Sequence, residues 1–330
     1  MFEECAKVIS RVISSLTWSL MGDALPSTSS GKANPTNLIW TTVFSTIRGM
    51  WKRIKMKRFT GITGVFLCIV AVYGCKQAVN RMAFFPDNTD ILSTEQLPEN
   101  VQEIFIETED WITIHSYFIP HRSSDKIILY FHGNAGNIGH RLPDLLRLST
   151  FGVNVLGVSY RGYGKSQGKP SEEGIYIDGK ASLNYATQRL GFSLHNVFLF
   201  GRSIGTTVAI NTSQNLDIGG LILVTPLTSG KDHAHATGLG LVAFLAGNSF
   251  NNIKKIVNVS CPLLIIHGTQ DKVVPFEMGK RMYNEAKTEK QFVQIEGAGH
   301  NNLSTVYKQR YWPPIYAFFA QKKMKAQKAP

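Results

Sequence analysis

The chain has 330 residues, 43% of them hydrophobic, which suits one large globular domain with appendages. Its net charge of +12 is unevenly held: residues 1–84 carry +8 and residues 85–330 carry +4, the latter matched by Lys322, Lys323, Lys325 and Lys328 at the C-terminus. The body in between is neutral, which argues against nucleic acid as a partner, since a nucleic-acid binder concentrates charge on its folded surface.

In chain order, residues 1–50 read as an N-terminal extension. Val8–Met21 mixes apolar residues with Ser and Arg, as an interfacial amphipathic helix would. Asp23–Asn37 is rich in Ser, Pro, Thr and Gly and reads as a linker. Residues 51–58 form a basic juxtamembrane segment (Lys52, Arg53, Lys55, Lys57, Arg58) suited to anionic headgroups. Phe59–Cys75 then runs 17 residues without a charge, and Gln77–Val79 extends it. We read 59–79 as a transmembrane signal anchor at the short end of the required length. The cations before it outnumber Lys76 and Arg81 after it, so the positive-inside rule puts the N-terminus in the cytosol and the large domain in a lumen or outside the cell. This is a single-pass type II arrangement with the lipid bilayer as a partner. The 58 residues before the run argue against a cleaved signal peptide, and the competing reading is a buried core helix. Cys68 and Cys75 would share a face of that helix; of the four cysteines only Cys261 lies in the large domain, which has no disulfide framework.

From Val101 onward strands and helices alternate. Strands are expected at Gln102–Thr108, Trp111–Ile119, Lys126–Phe131, Asn154–Tyr160, Asn196–Phe200, Gly220–Val224, Leu263–His267 and Gln291–Glu296. Helices are expected at Gly139–Thr150, Glu172–Leu190, Ser203–Gln214, Glu277–Ala286 and Asn302–Ala320. The fold class is therefore α/β: two leading antiparallel strands feeding a mostly parallel sheet, with helices on both faces. The domain is placed at 85–321, with a short lid insert at 226–259 and a basic tail at 322–330. Such sheets bind ligands beyond the carboxyl ends of their strands, and every polar motif of this chain falls at such an end.

Ser203 lies in Gly201-Arg202-Ser203-Ile204-Gly205, between an apolar strand and a helix. A sharp turn there would lift the hydroxyl out of the sheet, with glycines relieving side-chain clash. The loop His132-Gly133-Asn134-Ala135-Gly136-Asn137 follows another strand, and its backbone amides could face an oxyanion. The backbone N–H groups of Asn134 and Ile204 are the expected oxyanion donors, their side chains incidental to that role. Asp271 and His300 each follow a further strand, in the order nucleophile, acid, histidine. A serine needs a base to accept its proton, and the histidine needs an acid to fix its tautomer. Ser203, Asp271 and His300 are the expected catalytic residues.

These stretches, with Tyr160-Arg-Gly-Tyr-Gly-Lys-Ser166, Gly268-Thr-Gln-Asp271 and Gly299-His300, resemble the membrane-anchored α/β-hydrolase domain proteins over roughly Phe59 to Ala320. The resemblance implies an α/β-hydrolase fold, a single-pass anchor and a serine hydrolase, with triad roles on the same three residues. It implies no cofactor. His233 and His235 form a His-x-His pair without the further ligands that a zinc site needs. Arg161, in the glycine-laden loop after the Asn154 strand, is expected to tie neighbouring loops together. The insert carries an apolar patch at Gly238–Gly247, either an acyl-chain groove or a core helix. The expected substrate is an ester or thioester of a lipid-like or acylated molecule. An amidase or peptidase would use the same triad, and a non-catalytic membrane scaffold would keep the fold without the chemistry. Asn258 and Asn302 are the better glycan acceptors of three sequons, Asn211 falling in the helix behind Ser203.

Overall fold

The computed structural model describes residues 80, 83–89, 92–239 and 243–326, all within the compact unit Cys75–Pro330. The expected extension, basic segment and anchor (1–79) lie outside them, except for Asn80 onward. Among the described residues no helix is long and apolar enough to cross a membrane.

Eight strands form one sheet: β1 Gln102–Glu107, β2 Thr113–Ile119, β3 Ile127–Phe131, β4 Asn154–Val158, β5 Val197–Arg202, β6 Gly220–Val224, β7 Leu263–Gly268 and β8 Lys290–Ile295. Their order is β1-β2-β4-β3-β5-β6-β7-β8. β2 runs antiparallel to both β1 and β4, and all the other pairs are parallel. The helices are α1 Leu142–Ser149, α2 Glu172–Asn184, α3 Gly205–Ser213, α4 Gly230–Ala236, α5 Ala243–Ala246, α6 Asn252–Lys255, α7 Phe276–Glu285 and α8 Lys308–Ala326.

The central strands are apolar throughout because both of their faces are covered. In β3, Ile127, Leu129 and Phe131 face the core layer that holds Ile175 and Leu183 of α2, Val208 of α3 and Met278 and Met282 of α7. Ile128 and Tyr130 face the opposite layer, with Leu145 and Leu148 of α1 and Ile315 and Phe319 of α8. β5 and β7 divide their residues in the same alternation. Each such side chain, wholly withdrawn from water, contributes about 1.5–3 kcal/mol.

Several element boundaries differ from expectation, and four of the differences have clear local reasons. β2 starts at Thr113 because Trp111 sits at φ 63 in a turn closed by Trp111 N–H to Thr108 O and Thr108 N–H to Ile112 O. The helix expected to reach Leu190 gives way at Tyr185–Arg189 to a wider π-type turn, closed by Leu190 N–H on Tyr185 O. α3 begins two residues after Ser203, which belongs to the turn. α8 begins at Lys308, not Asn302, because 302–307 is bonded to the loop before it. Lys322–Ala326, expected as tail, continue α8, and Phe84, just ahead of the expected domain start, is 5% exposed within the core.

Arg161 joins separate parts of this frame. Its Nη1 and Nη2 donate to Asp110 in the β1–β2 turn at 2.7 and 2.9 Å. Its Nε and backbone N–H donate to Asp178 of α2 at 2.9 and 2.8 Å. The guanidinium holds the Asp110 carboxyl down to about 2, whereas burial raises Asp178 to about 6 against the pull of the same arginine. The Asp178 side chain is wholly buried and Asp110 is 38% exposed, so the cost of losing the arginine falls on Asp178. Arg161→Ala is expected to destabilise the fold by about 3–5 kcal/mol, read as a shift of the urea midpoint. Asp110→Ala is expected to cost no more than about 1 kcal/mol in the same measurement.

Candidate active site

The end of β5 and the start of α3 approach so closely that a side chain fits at neither flanking glycine. A Cβ on Gly201 would lie 2.5 Å from Gly205 O and 2.7 Å from Thr206 Cα, and one on Gly205 would fall onto the carbonyl oxygens of Phe131 and His132. Between them Ser203 takes φ 53, a left-handed conformation that a non-glycine residue adopts only when its surroundings impose it. The turn is held by Ser203 N–H on Val224 O at 2.9 Å and by the Thr206 N–H and hydroxyl on Ser203 O at 2.9 and 2.6 Å. The hydroxyl of Ser203 therefore stands at the carboxyl edge of the sheet.

Asp271 and His300 meet it there, from the loops after β7 and β8. His300 Nε2 lies 3.1 Å from Ser203 Oγ, and its Nδ1 lies 2.7 Å from Asp271 Oδ2. With the carboxylate accepting from Nδ1–H, Nε2 presents its lone pair to the serine hydroxyl. Asp271 Oδ1 accepts from the N–H groups of Val273 and Val274, each at 2.8 Å. Burial works against the Asp271 carboxylate, but hydrogen bonds from His267, His300 and the Val274 N–H outweigh it. Its pKa is held well below the usual carboxylate range. Asp271 thus stays an acceptor at neutral pH and keeps the imidazole in one tautomer.

The supports of His300 are Arg202 and Tyr307, to which the sequence assigned no role, and Asn302, expected only as a glycan acceptor. Arg202 Nη2 donates to His300 O at 3.3 Å. Tyr307 donates its hydroxyl to Gly297 O at 2.8 Å, and Asn302 Oδ1 accepts from Gly299 N–H at 2.9 Å. The Arg202 bond closes between loops 98 positions apart, whose paths depend on the whole sheet, whereas those of Asn302 and Tyr307 fold the segment after β8 back on itself.

The backbone N–H groups of Asn134 and Ile204 have no acceptor among the described residues. Both residues line one cavity with Ser203, and a Cβ on Gly133 would lie 3.6 Å from Ser203 Cβ. The Asn134 side chain, expected to be incidental, is fixed: its Oδ1 accepts from Phe85 N–H at 2.9 Å and from the Tyr163 hydroxyl at 2.8 Å. His132 beside it is fully buried against Tyr160 and Tyr163, and burial lowers its pKa to about 3, so it stays neutral. Its Nδ1 donates to Gly133 O at 2.6 Å.

The cavity in front of Ser203 holds about 300 Å³. The insert supplies Leu227, Ala234, Leu239, Ala246 and Phe250, the chain before β1 supplies Ala83 and Phe85, and the loop after Asp271 supplies Val273 and Val274. The insert is a set of short helices, α4 to α6, and its apolar patch reaches the cavity through Leu239 and Ala246. Among the described residues no Asp, Glu, Lys or Arg lines the cavity. A larger groove of about 580 Å³ runs between β1 and α2, and none of the residues above lines it. His233 Nε2 donates to Val273 O at 2.9 Å, and among the described residues no three His, Cys, Asp or Glu side chains are grouped to hold a metal.

Comparison with known proteins places this geometry in context. The family profile "Serine aminopeptidase, S33" matches residues 122–256, which include Ser203 and the Asn134 loop but end before Asp271 and His300. α/β-Hydrolase domain-containing protein 17C of Xenopus tropicalis is 36% identical over 177 residues, 53% of this chain and 56% of that protein. The Homo sapiens protein of the same name is 36% identical over 182 residues, 55% of this chain and 54% of its own length. The chain thus spans a little over half the length of the curated relatives it matches. An esterase of Pyrococcus furiosus superposes with a TM-score of 0.60 at 21% identity, covering 72% of this chain and 98% of that one. An α/β-hydrolase of Vibrio vulnificus superposes with a TM-score of 0.57 at 22% identity, covering 67% and 81%.

If His300 depends on Asp271 for its tautomer, Asp271→Asn is expected to lower turnover of a p-nitrophenyl ester by about 10⁴-fold while leaving the fold intact. Near-normal turnover would remove Asp271 from the chemistry.

Proposed function

The chain has the α/β-hydrolase fold, and from that premise we propose that it is a serine hydrolase acting on an uncharged acyl ester or thioester. The observation that carries this reading is the unbroken line of hydrogen bonds from Ser203 through His300 to Asp271, opening into a cavity on which no Asp, Glu, Lys or Arg among the described residues lies.

In the proposed reaction His300 Nε2 accepts the Ser203 proton as Oγ attacks the acyl carbon. The carbonyl oxygen takes up negative charge and receives the N–H groups of Asn134 and Ile204, each worth about 2.7–4 kcal/mol at the transition state. The new imidazolium is stabilised by Asp271 and passes its proton to the departing alcohol or thiol, leaving an acyl-enzyme. Water, deprotonated by the same imidazole, attacks the acyl carbon. Ser203 leaves with the proton and the carboxylic acid is released.

The apolar lining from the insert and the chain before β1 suits a hydrocarbon acyl group, which gains about 0.8 kcal/mol per methylene buried. Phe85, Leu239 and Val273 at its edge are 60%, 47% and 45% exposed, an apolar rim suited to an amphiphilic substrate. Together with the uncharged run Phe59–Cys75 this supports a membrane-anchored, type II enzyme working near a bilayer. The motif set also resembles that of α/β-hydrolase domain-containing protein 13. The serine aminopeptidase profile favours a second reading, cleavage of an amide. An aminopeptidase must hold its substrate's ammonium group, and among the described residues the cavity offers no carboxylate for it.

A fluorophosphonate probe is expected to label the wild type, Ser203 Oγ displacing fluoride from phosphorus, and Ser203→Ala is expected not to label; equal labelling of both would defeat the reading. In a substrate panel, acyl esters and thioesters are expected to exceed aminoacyl amides in kcat/KM by at least about 100-fold. The reverse ranking would establish the peptidase. In sealed vesicles the domain is expected to resist added protease until detergent is supplied, and cleavage without detergent would invert the topology.

A further inference from the structure

The chain just before the sheet is stitched to the loop that carries Asn134. Phe85 N–H donates to Asn134 Oδ1 at 2.9 Å. Pro86 pairs with Gly136 in a short parallel bridge, and Asp87 N–H donates to Gly136 O at 3.4 Å. Asp87 O in turn accepts from Asn137 Nδ2 and from Gly164 N–H, both at 3.3 Å. Phe84 is buried, with its ring edge-on to Phe250 of the insert at 5.9 Å, whereas Phe85 turns its ring outward to the cavity edge. This segment lies well before the stretch that matches the family profile, residues 122–256.

The loop it grips has no regular structure of its own. Gly133 lies against Ser203 and Gly136 takes φ 83, so the backbone gains little stiffness from its sequence. Yet an oxyanion donor is effective only if it is aimed before the charge develops. Asn134 Oδ1 is where the aim is fixed: it accepts one donor from the segment and one, Tyr163 OH, from the loop after β4. A side-chain amide held from two sides limits rotation of its own backbone, and that backbone carries the candidate oxyanion donor.

We propose that residues 83–87 are a positioning strap of the active site, with the Asn134 side chain as its pin. The strap sets the direction of the Asn134 N–H. This rests on the serine hydrolase reading above and adds to it a site component outside the stretch the family profile matches. It also means that the polypeptide following the uncharged run Phe59–Cys75 in sequence is bonded, at residues 85–87, directly to the oxyanion loop.

The test uses the full-length chain and the second-order rate of inactivation by a fluorophosphonate, with kcat and KM for p-nitrophenyl butyrate. Asn134→Ala removes the pin and is expected to slow inactivation by at least about tenfold, with the loss in kcat and not in KM. Phe85→Pro deletes the donor N–H and is expected to be about tenfold slower than Phe85→Ala, which keeps it. The double variant Phe85→Pro/Asn134→Ala is expected to be no slower than Asn134→Ala alone, because the bond that Phe85→Pro breaks is already gone. Should Phe85→Pro fail to fold, Tyr163→Phe removes only the second donor, and it is expected to slow the wild type but not the Asn134→Ala variant. Additive losses in these cycles, or Asn134→Ala within twofold of wild type, would overturn the strap. A wild type that never labels would instead defeat the hydrolase reading itself.

Discussion

The arrangement at the sheet edge depends on a backbone-to-backbone approach where β5 turns into α3. Gly201 and Gly205 allow the helix start to press against β3 and β5, and Ser203 between them is forced to φ 53. A Cβ at either glycine would separate the helix from the strand and lower the serine hydroxyl back toward the sheet. Because the strained residue is also the one that carries the hydroxyl, packing energy from the core is converted into placement of a reactive atom. The order of the strands then decides what can reach that atom. β6 lies between β5 and β7, and β8 lies beyond β7, so the loops after β7 and β8 must run back along the carboxyl edge. Asp271 and His300 ride on those loops.

Charge is arranged with the same economy. The Asp271 side chain is wholly withdrawn from solvent, and its charge is met by His267, His300 and two backbone N–H groups. Among the described residues the cavity side carries no Asp, Glu, Lys or Arg. The carboxylate therefore acts on the imidazole without presenting itself to the substrate space, and a hydrocarbon chain can enter without stripping water from an ion. His132, the other histidine of the region, is kept neutral by burial and serves as packing for Tyr160 and Tyr163.

The cavity wall is assembled from pieces distant in the chain: the segment before β1, the insert after β6 and the loop after Asp271. His233 of α4 donates to Val273 O, and Arg281 of α7 bonds Asp232 of α4 at 3.1 Å, so the insert is tied to the acid loop and to the helix that follows it. Phe84 packs on Phe250 and closes the wall on the side of the N-terminal segment.

Taken alone, the sequence determined the alternation of strands and helices and the three residues that meet, because apolar periodicity and glycine-bounded turns are local signals. Gly220–Val224 is reproduced to the residue, and Ser203, Asp271 and His300 are legible because each stands at the end of an apolar run. Arg161 as a tie between loops was likewise readable, from a charge set in a glycine-laden turn. The start of α8, the grip of Tyr307 and Arg202 on the His300 loop, and the fixing of Asn134 by Phe85 were not. Those contacts join residues 10 to 98 positions apart, and only the closed sheet brings their loops within hydrogen-bond reach. A hydrogen bond of this kind leaves no period in the chain, since its partner is chosen by where the backbone happens to pass. The tertiary structure alone therefore decided which polar groups hold the site still.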